Sequence, residues 1–152
     1  MANKILASFE LMRMKNILLA SIATPVGALL ALGDLTSIKE YPEVIFATTY
    51  VLFFMGAGNA MNDVRDIDID RIAHPSRPLA REALSEVEAK RITIILAILS
   101  LGSLAACCLL MQDEIEYTLT IYGIVALLML SYDSFFKLKN KGLAGNMSIS
   151  LL

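Results

Sequence analysis

Apolar and polar positions alternate along this chain in long blocks. Apolar runs occupy residues 17–32, 44–58, 92–110 and 115–131, near the length of about 20 residues that a helix needs to cross a hydrocarbon core of about 30 Å. Pro25 and Gly27 fall inside the first run, where a membrane helix tolerates them. Ahead of it, Ile5, Leu6, Phe9, Leu11 and Met12 interleave with Lys4, Glu10, Arg13 and Lys15 at a near-helical period. That segment either lies at the membrane interface before the first crossing or begins it. After the fourth run, GNMSISLL starts another apolar stretch that is far too short to cross. The pattern predicts an all-α, polytopic membrane bundle with about four complete transmembrane helices and the start of a fifth.

Composition agrees with that reading. The chain has 152 residues, 57% of them hydrophobic and 18% charged, against roughly 25% charged in a soluble domain, and its mean hydropathy is +0.64. A formal net charge of -2 excludes a nucleic-acid binder that relies on overall basicity. Cys107 and Cys108 are adjacent and offer neither metal nor disulfide spacing, so they are read as packing residues. No cleaved signal is evident at the amino end, and the first apolar run is read as a retained helix.

The distribution of charge sets a topology. Of the 13 Lys and Arg residues, Lys39 alone lies in the connection between the first two runs. The others sit at the amino end, between the second and third runs, and after the fourth. The positive-inside rule then places the amino end and both basic connections in the cytoplasm of a multi-pass cell-membrane protein.

One stretch concentrates the candidate chemistry. NAMNDVRDIDIDRIAHPSRPL, residues 59–79, follows the second apolar run with four aspartates, two asparagines, and Arg65, Arg71, His74 and Arg77. If the second helix continues through Asp70, Asn59, Asn62, Asp63, Asp66 and Asp70 share an arc about 100° wide at about 100° per residue. Asp68 falls off it, solvated or paired with a nearby arginine. Stacked carboxylates repel, and a divalent cation offsets that repulsion. Mg²⁺ takes one or two carboxylates and completes its shell with water and substrate phosphate oxygens. Asn62 can supply a neutral oxygen to such an ion, and Asn59 can do so or bind substrate. Arg71, Arg77 and Arg81 follow, and guanidinium forks match phosphate. The two prolines of HPSRP should end the helix before Pro75 and turn the chain, swinging Arg77 back over the carboxylates. His74 is read as a capping or solvated turn residue. The small residues of GAGNA suit close helix packing, and Ser85 with Glu88 forms a capping box for the third apolar helix.

NDVRDIDIDRIAHPSRPL resembles the first aspartate-rich motif of the UbiA-type intramembrane prenyltransferases. In that motif an Asn-Asp pair is followed by Asp at the third and seventh positions after the paired Asp, then by Arg-Pro-Leu or Arg-Pro-Ile. Here these are Asn62, Asp63, Asp66, Asp70 and Arg77-Pro78-Leu79. RMKN, residues 13–16, resembles the opening of the family's first helix, with Met14 where proline is usual. YDSFFKLKNKGLAGN resembles the family's Tyr, Lys and Gly-Asn pattern near the fifth helix. Ala80, Arg81 and Glu82 depart from the family's proline, basic or small residue, and glycine.

The resemblance implies that residues 1–152 are a partial UbiA-like membrane domain, half of a nine-helix prenyltransferase. It implies Mg²⁺-dependent transfer of a polyprenyl group from a prenyl diphosphate to a lipophilic acceptor, an aromatic ring or a prenylated glyceryl phosphate. The style of the motif is nearer to archaeal ether-lipid or protohaem-related members than to plant aromatic enzymes. Asp66 and Asp70 with Asn62 are the implied metal ligands, and Asp66, Asp70 and Arg77 the implied catalytic residues. Asn16, Asn59, Asp63, Arg71, Arg77, Tyr132, Lys137, Lys139 and Asn146 are the implied substrate contacts, with membrane lipid around them. The family's second aspartate-rich motif lies beyond this sequence, so further helices are expected past Leu152, or a second chain or a second copy supplying that motif.

Three other readings are open at this point. A catalytically incomplete or partner-dependent half-protein would carry the same motif. A CDP-alcohol phosphotransferase-like enzyme also uses aspartates four apart with Mg²⁺, but needs a glycine-containing series that this chain lacks. A cation transporter would place its acids at mid-membrane, without arginines that repel the cation.

Overall fold

The computed structural model describes residues 4–33, 40–111 and 115–130. It divides into two units, Met1–Leu110 and Met111–Leu152.

The first unit contains α1 (Lys4–Leu11), α2 (Met14–Leu32), α3 (Glu43–Arg65), α4 (Ile67–Ala73) and α5 (Glu86–Leu110). Three of these, α2, α3 and α5, are long and apolar enough to cross a membrane. Helix α3 is central, packed against both α5 and α2. Its GAGNA segment is the contact surface, with Gly56, Ala57, Gly58 and Ala60 buried. A Cβ on Gly56 would lie 3.2 Å from the Met12 methyl and 3.4 Å from the Ile17 and Leu96 side-chain ends, so glycine sets how closely three helices approach. On the opposite faces Leu19, Leu30, Ile45, Ile98 and Leu101 are exposed, as expected of helices whose solvent is hydrocarbon. In α2 the turn before Pro25 is hydroxyl-bonded, Ser21 to the Leu18 carbonyl at 2.8 Å and Thr24 to that of Ala20 at 3.1 Å. Gly33 ends the helix at φ 75°, its N–H donating to the Leu29 carbonyl.

A small core lies at one end of the unit. Ala7 and Leu11 of α1 meet Ala60 of α3, Leu79 and Leu84 of the connection, and Ala89 of α5. This core decides the question left open at the amino end. Helix α1 is separate from the first crossing, because Arg13 at φ 58° and ψ 58° breaks the helix between them. Lys4 then pairs with Glu88 at 2.6 Å and Glu10 with Arg81, tying α1 to α5 and to the connection before it. The Ser85–Glu88 capping box forms as expected. The Ser85 amide donates to the Glu88 carboxylate at 2.9 Å, and the Glu88 amide to the Ser85 hydroxyl at 3.2 Å. Cys107 is buried, its thiol 3.6 Å from the Glu43 carbonyl, and neither cysteine forms a disulfide.

One expectation is corrected. Helix α3 does not run through Asp70 but ends at Arg65, and Asp66 at φ -94° and ψ 11° separates it from α4. Asp is a weak helix former whose short side chain competes for backbone groups, and four aspartates fall within eight residues here. The i→i−4 amide bonds nonetheless persist across the joint, Asp66 to Asn62 at 2.9 Å and Asp70 to Asp66 at 2.8 Å.

The second unit contains α6 (Ile115–Leu130), apolar but shorter than a full crossing. The described residues thus form an all-α, multi-pass membrane bundle of three span-length helices and one shorter apolar helix.

Candidate active site

The residues between α4 and α5 return to the site because two prolines and two buried leucines shape them. Helix α4 stops at Ala73, and exposed His74 caps it through an amide bond to the Asp70 carbonyl. The Arg77 amide bonds back to His74 at 3.0 Å, and the Ala83 amide to Pro78 at 2.9 Å. Leu79 and Leu84 drop into the core. Arg77 is thereby turned towards the carboxylates, as its place after HPS predicts.

There it joins a four-residue cluster. One nitrogen of Arg77, Nη1, donates to Asp70 Oδ2 at 2.5 Å and to Asp63 Oδ1 at 3.3 Å. Arg13 donates from its Nη2 to the same Asp63 oxygen at 3.0 Å. Asp63 and Asp70 are 2% and 3% exposed. Carboxylates buried so deeply persist as anions only when paired, and the two arginines make the cluster formally neutral. Arg77 keeps 27% of its side chain exposed. Among the described residues its Nε and Nη2 make no hydrogen bond, so most of its five N–H donors stay available to a ligand.

Arg13 is the site residue that sequence reasoning did not single out. It counted as a topology charge and as the first residue of RMKN, and nothing in the sequence signals a partner 50 residues away. Its left-handed backbone costs about 1–2 kcal/mol in a residue with a Cβ. The turn is fixed on both sides, by the Asn59 side-chain amide donating to the Met12 carbonyl at 2.9 Å and by the Asn16 amide donating to Arg13 at 2.8 Å. Asn59, expected at the substrate, thus has its amide nitrogen committed to this junction.

The other predicted residues separate. Asn62 and Asp66 are half-buried on successive turns before Asp70. Asp68 points outward and pairs with exposed Arg71 at 3.4 Å, as its position off the arc predicts. Arg81 is held by Glu10. Asn16 is exposed beside Arg13, in an open and largely apolar groove of about 700 Å³ that Leu6, Phe9 and Met14 also line. Tyr132, Lys137, Lys139 and Asn146 lie outside the described residues.

The residues fit a magnesium diphosphate better than a bare cation. No group of three acidic, histidine or cysteine side chains among the described residues forms a cage. Mg²⁺ bound with a diphosphate needs only one or two carboxylates. Asp70 uses one oxygen on Arg77, and among the described residues its other oxygen accepts no hydrogen bond. Asp66 and Asn62 add hard oxygen donors one and two turns before it.

Comparison with known proteins identifies the family. The profile described as "UbiA prenyltransferase family" matches residues 20–152. The chain belongs to the UbiA prenyltransferase family. Among UbiA-family relatives, a digeranylgeranylglyceryl phosphate synthase from Methanococcus maripaludis is 30% identical over 146 residues, covering 96% of this chain and 48% of the relative. Another of that name, from Methanocaldococcus jannaschii, is 41% identical over 99 residues, 64% of this chain and 34% of the relative. A solved structure described as "Structural and mechanistic insights into the biosynthesis of Digeranylgeranylglyceryl phosphate synthase in membranes" superposes with a TM-score of 0.75 at 34% identity. That match covers 96% of this chain and 48% of the solved one. The chain spans about half the length, or less, of the relatives it matches.

Proposed function

We propose that this chain carries the first metal-diphosphate site of a prenyltransferase that moves a geranylgeranyl-type group from its diphosphate to the hydroxyl of a prenylated glyceryl phosphate. The observation that carries the reading is Arg77, held over Asp70 through one nitrogen with its remaining donors uncommitted. The shared name of the relatives favours a glyceryl phosphate acceptor over an aromatic ring.

Asn62, Asp66 and Asp70 would hold Mg²⁺, which supplies charge neutralisation for the leaving diphosphate when bound. Arg77 adds N–H donors to the same oxygens, aimed where negative charge grows as the allylic carbon-oxygen bond breaks. The electron pair leaves with pyrophosphate, the acceptor oxygen attacks the allylic carbon, and its proton is lost. The apolar helices keep water from competing for that carbon. The groove beside Arg13 and Asn16 offers apolar surface for a prenyl tail.

In the finer picture α6 belongs to a fourth crossing, a fifth helix follows it, and the amino end and the site face the cytoplasm. Tyr132, Lys137, Lys139 and Asn146 complete the substrate contacts. A second set of carboxylates is required for turnover, from further sequence, another polypeptide or a second copy of this chain.

The test supplies the chain, in lipid nanodiscs, with Mg²⁺, geranylgeranyl diphosphate and geranylgeranylglyceryl phosphate, with and without a separately expressed carboxyl-terminal half of a relative. Binding of the diphosphate that requires Mg²⁺, and ether product in the reconstituted pair, is expected. Diphosphate binding indifferent to Mg²⁺ and to Arg77 would overturn the assignment.

A further inference from the structure

Asp63 receives two arginines on a single oxygen. Arg13 arrives from the α1–α2 junction at 3.0 Å and Arg77 from the α4–α5 connection at 3.3 Å. The shorter contact is to Arg13, whereas Arg77 makes its short contact to Asp70. Arg13 therefore meets most of the demand of the buried Asp63 carboxylate and leaves Arg77 weighted towards Asp70. Without Arg13, one guanidinium would serve two buried anions and the cluster would carry a net negative charge, which opposes a diphosphate.

We infer that Arg13 is a positioning residue of this site, acting through Asp63 to hold Arg77 over Asp70 with its free donors open to diphosphate. The inference rests on the reading above, that Arg77 engages diphosphate. It also gives Asp63 a different role from the other aspartates of the motif, that of a fixed anchor between two arginines. The junction is built for this. Met12 is held by Asn59, α1 is tied down by the Lys4–Glu88 and Glu10–Arg81 pairs, and Arg13 adopts the left-handed backbone that separates the helices. Three side-chain contacts fix the segment that delivers one guanidinium to Asp63.

The experiment compares wild type, R13Q, R13K, D63N and R13Q/D63N as full chains in nanodiscs. One measurement is the affinity for inorganic pyrophosphate with Mg²⁺, by calorimetry. The other is the Arg77 Nε–Hε signal in ligand-free protein, which reports how tightly that guanidinium is held. R13Q should weaken pyrophosphate by about tenfold or more, in line with breaking one partner of a buried pair, and shift the Arg77 signal. Removing the Asp63 charge as well should return both towards wild type, because the demand on Arg77 disappears with it. A double variant as weak as R13Q would overturn the inference and make Arg13 a direct phosphate contact, as would an Arg77 signal indifferent to R13Q. If wild type itself fails to bind pyrophosphate, the proposed function falls, and the Arg77 signal still judges the link. R13K, which keeps a cation against Asp63, should leave the Arg77 signal near that of wild type, and where R13Q is not recovered folded D63N carries the signal test, since freeing Arg77 from Asp63 should shift its signal and an indifferent signal would overturn the link.

Discussion

Arg77 reaches Asp70 at 2.5 Å from the far side of a helix end, seven residues later in the chain. The contact exists because α4 stops at Ala73 and the prolines at 75 and 78 turn the chain back. It couples the two halves of one motif, the aspartates and the Arg-Pro-Leu that follows them. Arg77→Ala removes the guanidinium from both carboxylates, leaving Asp70 buried without its charge partner. Magnesium-dependent diphosphate binding should fall at least about tenfold, with acceptor binding less affected, and stability should drop by about 1–3 kcal/mol. Calorimetric titration and thermal unfolding in nanodiscs check the two parts separately, and a larger loss for acceptor than for diphosphate would reassign Arg77.

The aspartates should divide by position. Asp66→Asn and Asp70→Asn are each expected to lower magnesium-dependent diphosphate binding by about tenfold or more, as loss of a charged oxygen ligand implies. Asp68, whose side chain is 88% exposed and paired with Arg71, should change it little when replaced by Asn. Exposed pairs of this kind contribute about 0–1 kcal/mol. Equal losses from all three, in the same titration, would dissolve the distinction.

At Gly56 a methyl and a larger side chain should diverge. A Cβ meets the flexible end of Met12 at 3.2 Å and the ends of Ile17 and Leu96 at 3.4 Å. Each can give by a few tenths of an ångström, and alanine also gains about 0.5–1 kcal/mol of helix preference over glycine. Gly56→Ala should therefore stay within about 1 kcal/mol of wild type, whereas Gly56→Leu overpacks the three-helix contact and costs about 1–3 kcal/mol or more. Unfolding in mild detergent distinguishes them.

The start of α5 offers a local test. Ser85→Ala removes the hydroxyl that accepts from the Glu88 amide, a cap worth about 1 kcal/mol. Hydrogen exchange at residues 86–88 should accelerate about fivefold, the factor that such an energy implies, while α3 amides remain protected. Glu88→Ala should have a larger effect on α1, since it also removes the partner of Lys4. Unchanged exchange in α1 would show that the Lys4 contact does not hold that helix.

Much of this arrangement was legible in sequence, for identifiable reasons. Block hydropathy located the span-length helices, since the bilayer fixes their length. The prolines of HPSRP foretold both the end of α4 and the return of Arg77. Asp68 was separable from its neighbours because a shift of two residues turns a side chain by about 200° on a helix. The joint at Asp66 was not legible. It keeps the i→i−4 amide bonds on both sides, so no proline or glycine marks it, and only the dihedral angles reveal it. Nor was the partnership of Arg13 with Asp63, because a contact between distant elements leaves no periodic trace. The contact of Asn59 with Met12 was hidden for a related reason. A carbonyl at a helix break, here that of Met12, becomes a hydrogen-bond acceptor only once the break is known.

The left-handed backbone at Arg13 restricts what evolution can do at that codon. Glycine would relax the turn and abolish the cation, lysine would keep a cation and lose the fork, and alanine would lose the cation while retaining the steric cost of a Cβ. Drift at this position is therefore confined from two directions at once, chain geometry and electrostatics, although the residue stands outside the aspartate-rich motif.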